Sequence, residues 1–433
     1  MTTYYHNMLY VSTEMRTFIQ KEDMKKILHS DMNNFYASVE CMLNPSLKGY
    51  PVAVCGSVEE RHGIVLAKNY PAKAFGVATG EAVWQAKEKC PDLIVVPPHY
   101  EEYIKYSKLA REIYQRYTNQ VEPYGMDECW LDITGFGVGD PTAVAHEIRN
   151  TIKSELGLTV SVGVSFNKIF AKLGSDMKKP DAVTTISHDT FREKIWSLPA
   201  SDLLFVGRAT KRFLDRFCIR TIGDLANTQP EFLKSHIGVN GLKLWRYANG
   251  YDDSPVMKQD YKSPVKSVGH GTTTVEDLKS NFDVWMLILE LSQDIGHRLK
   301  MLNLNCTGVS IAVRSEDLIF KEWQRKVNFA TQSPFIIAKL AFELFLQRYE
   351  WKKNIRSVTV RAMNLIPESA PVQLDLFANV DNLDRQQKID DCVDSLRSRF
   401  GKKIIFNGVL LNNYFMQKNQ VKLTMPTGMM NMR

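Results

Sequence analysis

At 433 residues, 44% hydrophobic and 24% charged, the chain has room for about three domains of ~100–200 residues and the composition of a globular protein. No apolar run approaches the ~20 residues that span a bilayer, and no apolar leader followed by small residues opens the chain. The seven cysteines stand singly, which argues against zinc sites and a disulfide scaffold and fits a reducing cytoplasm.

Net charge is +7, a weak pointer to a polyanion by itself. Its distribution says more, because Arg208, Lys211, Arg212, Arg216 and Arg220 cluster within 205–220.

Residues 1–26 carry no clear apolar period and read as an extension. ILHSDMNNFYASVE (27–40) runs from an apolar strand through Asp31 into a segment that turns helical through Ala37, Val39 and Met42. Asn44-Pro45 signals a turn and YPVAVCG a buried strand. A strand, a short helix ending near Gly76, a helix from Glu81 and a strand ending at Pro97-Pro98 follow, so about 46–96 reads as a small basic insertion. Tyr103, Tyr106, Leu109, Ala110, Ile113 and Tyr117 recur at helical spacing over 100–118. VEPYGMDECWLDITG then sets Glu122, Asp127, Glu128 and Asp132 among strand-like residues. A helix over 141–156, the strand LTVSVGVS and the helix of SFNKIFAKLGSDMKKPDAV follow. The order is β–α–β–β–α–β, a ferredoxin-like, split βαβ pattern within a domain over 27–195.

Short helices separated by glycines predict an all-helical domain over 196–255 and a polar linker over 256–265. A second β–α–β–β–α–β domain, on an unrelated sequence, spans 266–366. The tail, 367–433, carries QLDLF at 373–377 and a helix near 382–399.

An acid that ends a strand serves equally as a helix cap, so Asp31 alone decides little. Asp127-Glu128 changes that. In a split βαβ sheet the first strand lies beside the central hairpin, and neighbouring residues on a regular strand point to opposite faces. Both acids reach Asp31 only if the hairpin turns or bulges at Tyr124-Gly125. Three acids converging without compensating bases imply a divalent cation, and oxygen ligands alone select Mg²⁺ or Mn²⁺. Two such ions suit phosphoryl transfer.

In this order and spacing, SDMNNFYASVE, NYPAKAFGV, YGMDECWLDITG and SFNKIFAKLGSDMKKPDAV resemble the Y-family DNA polymerases of the bacterial DinB/UmuC translesion type, over residues 25–400. The resemblance implies an α+β multidomain right-hand fold: a ferredoxin-like palm with a small fingers insertion, a helical thumb of helix-hairpin-helix character, and a little finger. It implies that Asp31, Asp127 and Glu128 hold two Mg²⁺ ions, Mn²⁺ being the alternative, with the Met32 carbonyl as an extra ligand. Tyr36 falls at the steric-gate position, where an aromatic ring would clash with a ribose 2′-hydroxyl. The amides of Asn34 and Phe35 are expected to approach phosphate. Tyr70 and Lys73 match the fingers pair on the β- and γ-phosphates, and Lys179 matches the palm lysine on the triphosphate. Two departures stand out there: many relatives have arginine at Lys73 and a hydroxyl residue at Ala67.

The thumb resemblance implies that amides at Gly207, Gly238 and Gly241 meet DNA phosphates, although Phe205 stands where relatives commonly have glycine. Lys266, Arg314 and Arg325, with Lys321 and Arg361, are basic little-finger residues suited to a duplex backbone. Gln373, Leu374, Leu376 and Phe377 resemble the peptide that docks on the replication sliding clamp. The implied activity is addition of dNTPs to a primer 3′-hydroxyl on template DNA. Low fidelity, no proofreading and a role in damage tolerance go with it, in a cytoplasmic monomer. The alternative on the same fold is a non-catalytic DNA- and clamp-binding accessory protein. A nucleotidyl cyclase would carry a GGDEF-like turn and neither thumb nor clamp peptide.

Overall fold

The first strand, β1 (Ile27–Met32), is flanked on both sides, and every one of its residues is buried. It is followed by helix α1 (Phe35–Leu43), whose entry residue Asn34 has φ 48° in the left-handed region. This is a computed structural model, and it describes residues 25–59, 61–135, 139–371, 380–401, 404–405 and 407–410. Residues 1–24 and the QLDLF peptide lie outside them. The described residues fall into two units, one drawn from 25–56 and 65–263, the other from 57–64 and 264–410.

The first unit continues through β2 (Val52–Cys55), β3 (Val65–Lys68), α2 (Tyr70–Ala74), α3 (Val83–Lys89) and β4 (Ile94–Val96). These strands form a small sheet of order β3-β2-β4 over a core of Ala53, Val65, Ala72 and Ala86. Next come α4 (Tyr100–Tyr114), β5 (Val121–Pro123), β6 (Glu128–Asp132), α5 (Pro141–Leu156), β7 (Val160–Ser165), α6 (Lys168–Met177) and β8 (Val183–Ile186). Their sheet has the order β5-β6-β1-β7-β8. The first strand therefore lies beside the central hairpin, as the ferredoxin-like reading expects. β8 is an addition that the sequence pattern did not announce: four residues long, it pairs parallel to β7.

A central strand buries its polar side chains, and buried polar groups need partners. The His29 Nδ1 atom lies 2.8 Å from Ser175 Oγ, and Ser30 Oγ lies 2.9 Å from Tyr114 Oη. The first of these contacts exists because α6 lies almost on the strands. A Cβ added at Gly163 of β7 would sit 1.9 Å from the Ala171 carbonyl oxygen, so only glycine lets the helix this close.

After α7 (Phe191–Ile195), four helices α8 (Arg208–Arg216), α9 (Ile222–Asn227), α10 (Pro230–Ile237) and α11 (Val239–Ala248) pack around Leu214, Ile222, Leu225, Leu233 and Leu244. The polar stretch that follows is tied down at its start. Val256 is buried, its carbonyl accepts from Gln120 Nε2 at 3.2 Å, and the Met257 amide donates to Glu122 at 2.8 Å.

The second unit runs β9 (Ser267–Leu278), α12 (Asn281–Met301), β10 (Leu304–Ser315), β11 (Phe320–Thr331), α13 (Pro334–Arg348) and β12 (Ile355–Pro367). The element order matches the expected repeat. The strand order is β11-β10-β12-β9, so β12 separates β9 from β10 and β10 separates β11 from β12. Both crossovers are split, but the second and fourth strands are central here, where the first unit centres its first strand and the second strand of its hairpin. Helix α14 (Val380–Phe400) is held by Asp394 on His297 at 2.7 Å and by Asp391 on Lys300 at 2.8 Å.

Candidate active site

Asp31 and Glu128 are cross-strand partners in the antiparallel β1–β6 ladder, which puts both carboxylates on one face. Asp127 lies just before β6 begins. Tyr124 and Gly125 amides both donate to the Glu128 carbonyl, at 2.9 and 3.3 Å, and the Met32 amide donates to the Asp127 carbonyl at 2.9 Å. The turn expected at Tyr124-Gly125 is therefore present, and it takes Asp127 off the strict alternation.

The surroundings correct one expectation. The acids do have compensating bases. Lys172 Nζ lies 2.7 Å from Glu128 Oε2, and Lys179 Nζ lies 2.8 Å from Asp31 Oδ2 and 3.0 Å from Asp176. Among the described residues, no three His, Cys, Asp or Glu side chains form a group poised to hold a metal. The donor set still suits a hard cation: carboxylate oxygens only, with Asp127 in no ion pair to a lysine or arginine among the described residues.

The three acids titrate differently. Burial, outweighing the Lys179 ammonium, pushes Asp31 up to about 7, with Glu128 and Asp127 adding repulsion. Burial and the Glu128 charge push Asp127 up to about 6. Burial would also raise Glu128, yet His29 and Lys172 hold it down at about 2. Lys172 is the close partner, since His29 Nε2 stays 3.6 Å away and makes no hydrogen bond. Desolvation lowers His29 itself. Lys179 stays charged despite burial, because Asp31 and Asp176 raise it.

Tyr36 projects from the first turn of α1. Its ring stacks on Tyr103 at 4.2 Å and 9°, meets Tyr100 edge-on at 6.1 Å, and its hydroxyl donates to Met126 Sδ at 3.1 Å. Tyr103 is fully buried and its hydroxyl donates to the buried Glu40 carboxylate, which also faces His99 at 3.0 Å. Asn34 and Phe35 lead into the same turn, where amides lack partners inside the helix. Tyr70 and Lys73 share α2, with the ammonium 5.7 Å from the tyrosine ring centroid. Asn69 caps that helix through its side chain on the Ala72 amide at 3.1 Å.

Sequence reasoning missed Lys172, His29, Ser175, Asn33 and Tyr103. His29 had a signal, since it lies two residues before Asp31 on the same strand face. Lys172 did not, because its reach to Glu128 depends on how α6 lies across the sheet.

The expected DNA-contact residues divide. Gly207 precedes α8 as its cap, and Gly238, at φ 69°, joins α10 to α11. Phe205 adopts φ 71° and is 63% exposed, which explains physically why glycine suits that position. Gly241 is corrected: its amide donates to the Gly238 carbonyl at 3.0 Å, and a Cβ there would lie 2.3 Å from the Leu233 carbonyl oxygen. It is a packing glycine. In the second unit Val309, Ile311 and Val313 point to the helices, so Arg314 and its cross-strand kin lie on the other face. Arg361, paired with Ser310, shares that face. Arg325 is corrected: it pairs with Val309 on the helix side and meets Glu343 of α13 at 3.4 Å. Lys266 is exposed at the start of β9.

The impB/mucB/samB family model matches residues 30–176, and the model of that family's C-terminal domain matches residues 265–376. DNA polymerase IV of Acetivibrio thermocellus is 50% identical over 389 residues, covering 89% of this chain and 98% of that protein. DNA polymerase IV of Clostridium acetobutylicum is 34% identical, covering 89% and 98%. A solved Y-family DNA polymerase chimera, Dbh-Dpo4(243-245)-Dbh, superposes with a TM-score of 0.69 at 23% identity, over 79% of this chain and 99% of that one. The chain belongs to the impB/mucB/samB family and is a Y-family polymerase of the DinB type.

Proposed function

We propose that this DNA-directed DNA polymerase extends primers across damaged template DNA, and that Asp31, Asp127 and Glu128 carry its chemistry. The observation that supports the reading most is the register: Asp31 opposite Glu128 across β1–β6, with Asp127 in the turn beside them. Asp31, Asp127, Glu128 and the Met32 carbonyl would hold two Mg²⁺ ions, with Mn²⁺ as a substitute. Such ions, when bound, neutralise charge on the transferring phosphoryl group and ease loss of the proton from the attacking 3′-hydroxyl. The primer oxygen attacks the α-phosphate of the dNTP and pyrophosphate leaves.

The chain's own residues bind and orient. Tyr70 and Lys73 take the β- and γ-phosphates, Lys179 reaches the triphosphate, and the amides of Asn34 and Phe35 approach phosphate. Lys73 supplies charge without the fork of an arginine. Tyr36 excludes the ribose 2′-hydroxyl, its ring braced by Tyr103. A fingers subdomain of three short strands and two short helices checks pair shape loosely, so fidelity is low, and proofreading is absent. Gly207 and Gly238 meet DNA phosphates, with Lys266, Arg314 and Arg361 along the duplex. Gln373, Leu374, Leu376 and Phe377 dock on the sliding clamp. The polymerase is read as a cytoplasmic monomer; among the described residues no helix is long and apolar enough to cross a membrane.

Primer extension with dNTPs and Mg²⁺ tests the reading, comparing wild type with Asp127→Ala/Glu128→Ala. Extension by the wild type alone supports it. Equal inactivity of both proteins returns the chain to the accessory role.

A further inference from the structure

The two lysines at the acids are held in different ways. Lys172 sits within α6, its ammonium 2.7 Å from Glu128, 3.8 Å from Asp176 and 5.1 Å from the Tyr124 ring centroid, and its carbonyl accepts from Ser175 Oγ at 2.7 Å. It is a fixed counter-ion. Lys179 lies beyond the end of that helix, and its ammonium is shared between buried Asp31 at 2.8 Å and Asp176 at 3.0 Å. Asp176 is 46% exposed at its side chain, so Lys179 has a second partner on the solvent side.

The backbone around Lys179 is pinned by a residue of the opening motif. Asn33, 2% exposed, accepts from the Asp181 amide at 2.9 Å and donates to Ser161 Oγ at 2.9 Å. Lys153 and Arg149 hold the Asp181 carboxylate at 2.7 and 3.6 Å. This anchoring delivers the ammonium to Asp31.

We propose that Lys179 is a placeholder cation, pairing with Asp31 in the nucleotide-free enzyme and moving to the triphosphate when a dNTP arrives, with Asn33 as its positioning residue. The inference rests on Asp31 as a metal ligand and Lys179 as a triphosphate ligand, as read above. An ammonium and a divalent cation on one carboxylate repel each other, and the partly desolvated setting strengthens that repulsion. Lys179 therefore opposes metal binding to the free enzyme. The polyanionic triphosphate draws the ammonium off Asp31, so nucleotide and metal bind cooperatively, and an empty site resists filling with metal alone.

The test is a titration of the full-length protein with Mn²⁺, read by electron paramagnetic resonance, without DNA or nucleotide. Lys179→Met and Lys179→Gln bind Mn²⁺ roughly fivefold tighter than wild type or more. Lys179→Arg, which keeps the charge, stays within about twofold of wild type. Asn33→Ala, which frees the loop, moves in the tighter direction. A non-hydrolysable dNTP analogue tightens Mn²⁺ binding in wild type more than in Lys179→Met, and the KM for dNTP rises in Lys179→Met. Unchanged or weaker Mn²⁺ binding by both neutral variants, together with the raised KM, overturns the placeholder and leaves Lys179 as a triphosphate ligand only. A wild type that binds Mn²⁺ but extends no primer refutes the polymerase reading instead, and the titration still judges the placeholder.

Discussion

Asp127, as the metal ligand proposed above, would trade stability against function. Burial, with the neighbouring Glu128 charge, raises its folded-state pKa to about 6, above the ordinary 3.8. A raised pKa means that the stabilising contribution of the protonated form is complete below about pH 4 and is lost as pH rises through about 6. Asp127→Asn should therefore stabilise the metal-free protein by about 1–2 kcal/mol at pH 8, after a discount for partial exposure. Thermal melts should show that gain at pH 8 and little of it at pH 4, while primer extension at pH 8 is abolished. The same scale holds the sugar check proposed for Tyr36. Tyr36→Ala removes the ring that Tyr103 braces, and incorporation assays should show the dNTP-over-rNTP preference fall by at least tenfold with dNTP extension retained.

At the scale of elements, the close helix contacts decide more than side-chain chemistry. Gly241 lets α10 and α11 touch, so Gly241→Ala must push a Cβ into the Leu233 carbonyl. We expect a loss of about 2 kcal/mol or more, read by urea unfolding. Phe205 is the opposite case. Its φ of 71° costs a non-glycine residue roughly 1 kcal/mol, and its ring is mostly exposed, so Phe205→Gly should be neutral to slightly stabilising in the same experiment. Helix α6 belongs here too. Gly163 admits it to the strands, and only then do Lys172 and Ser175 reach Glu128 and His29.

On the scale of the whole molecule, the second unit's sheet sorts its charges by face. Arg314 and Arg361 stand on the face away from the helices, and Arg325 on the helix side beside Glu343. Arg314→Ala/Arg361→Ala should weaken primer-template binding several-fold and lower the salt dependence by up to about two charges. Arg325→Ala should change either by less than twofold in fluorescence anisotropy titrations. An equal effect from all three would mean that the sheet faces do not sort DNA contacts.

Much of this was legible in the residues. Local pattern sets strand and helix positions, because apolar spacing reports which side of an element is buried, and four ordered motifs set the family. Asp31, Asp127, Glu128, Tyr36, Tyr70 and Lys179 were all named from those motifs. The strand order of the second unit was not legible, since several split arrangements satisfy the same element order. The compensating lysines and the roles of Gly241 and Arg325 were also hidden. Each depends on distances between segments far apart in the chain, which packing decides and local pattern does not carry. The sequence by itself thus determined the chemistry on offer, three acids and the residues proposed for a triphosphate. Only the tertiary structure decided that two of those acids, Asp31 and Glu128, are held by lysines, because an ion pair across 148 residues forms only when helix, strand and loop close on one another.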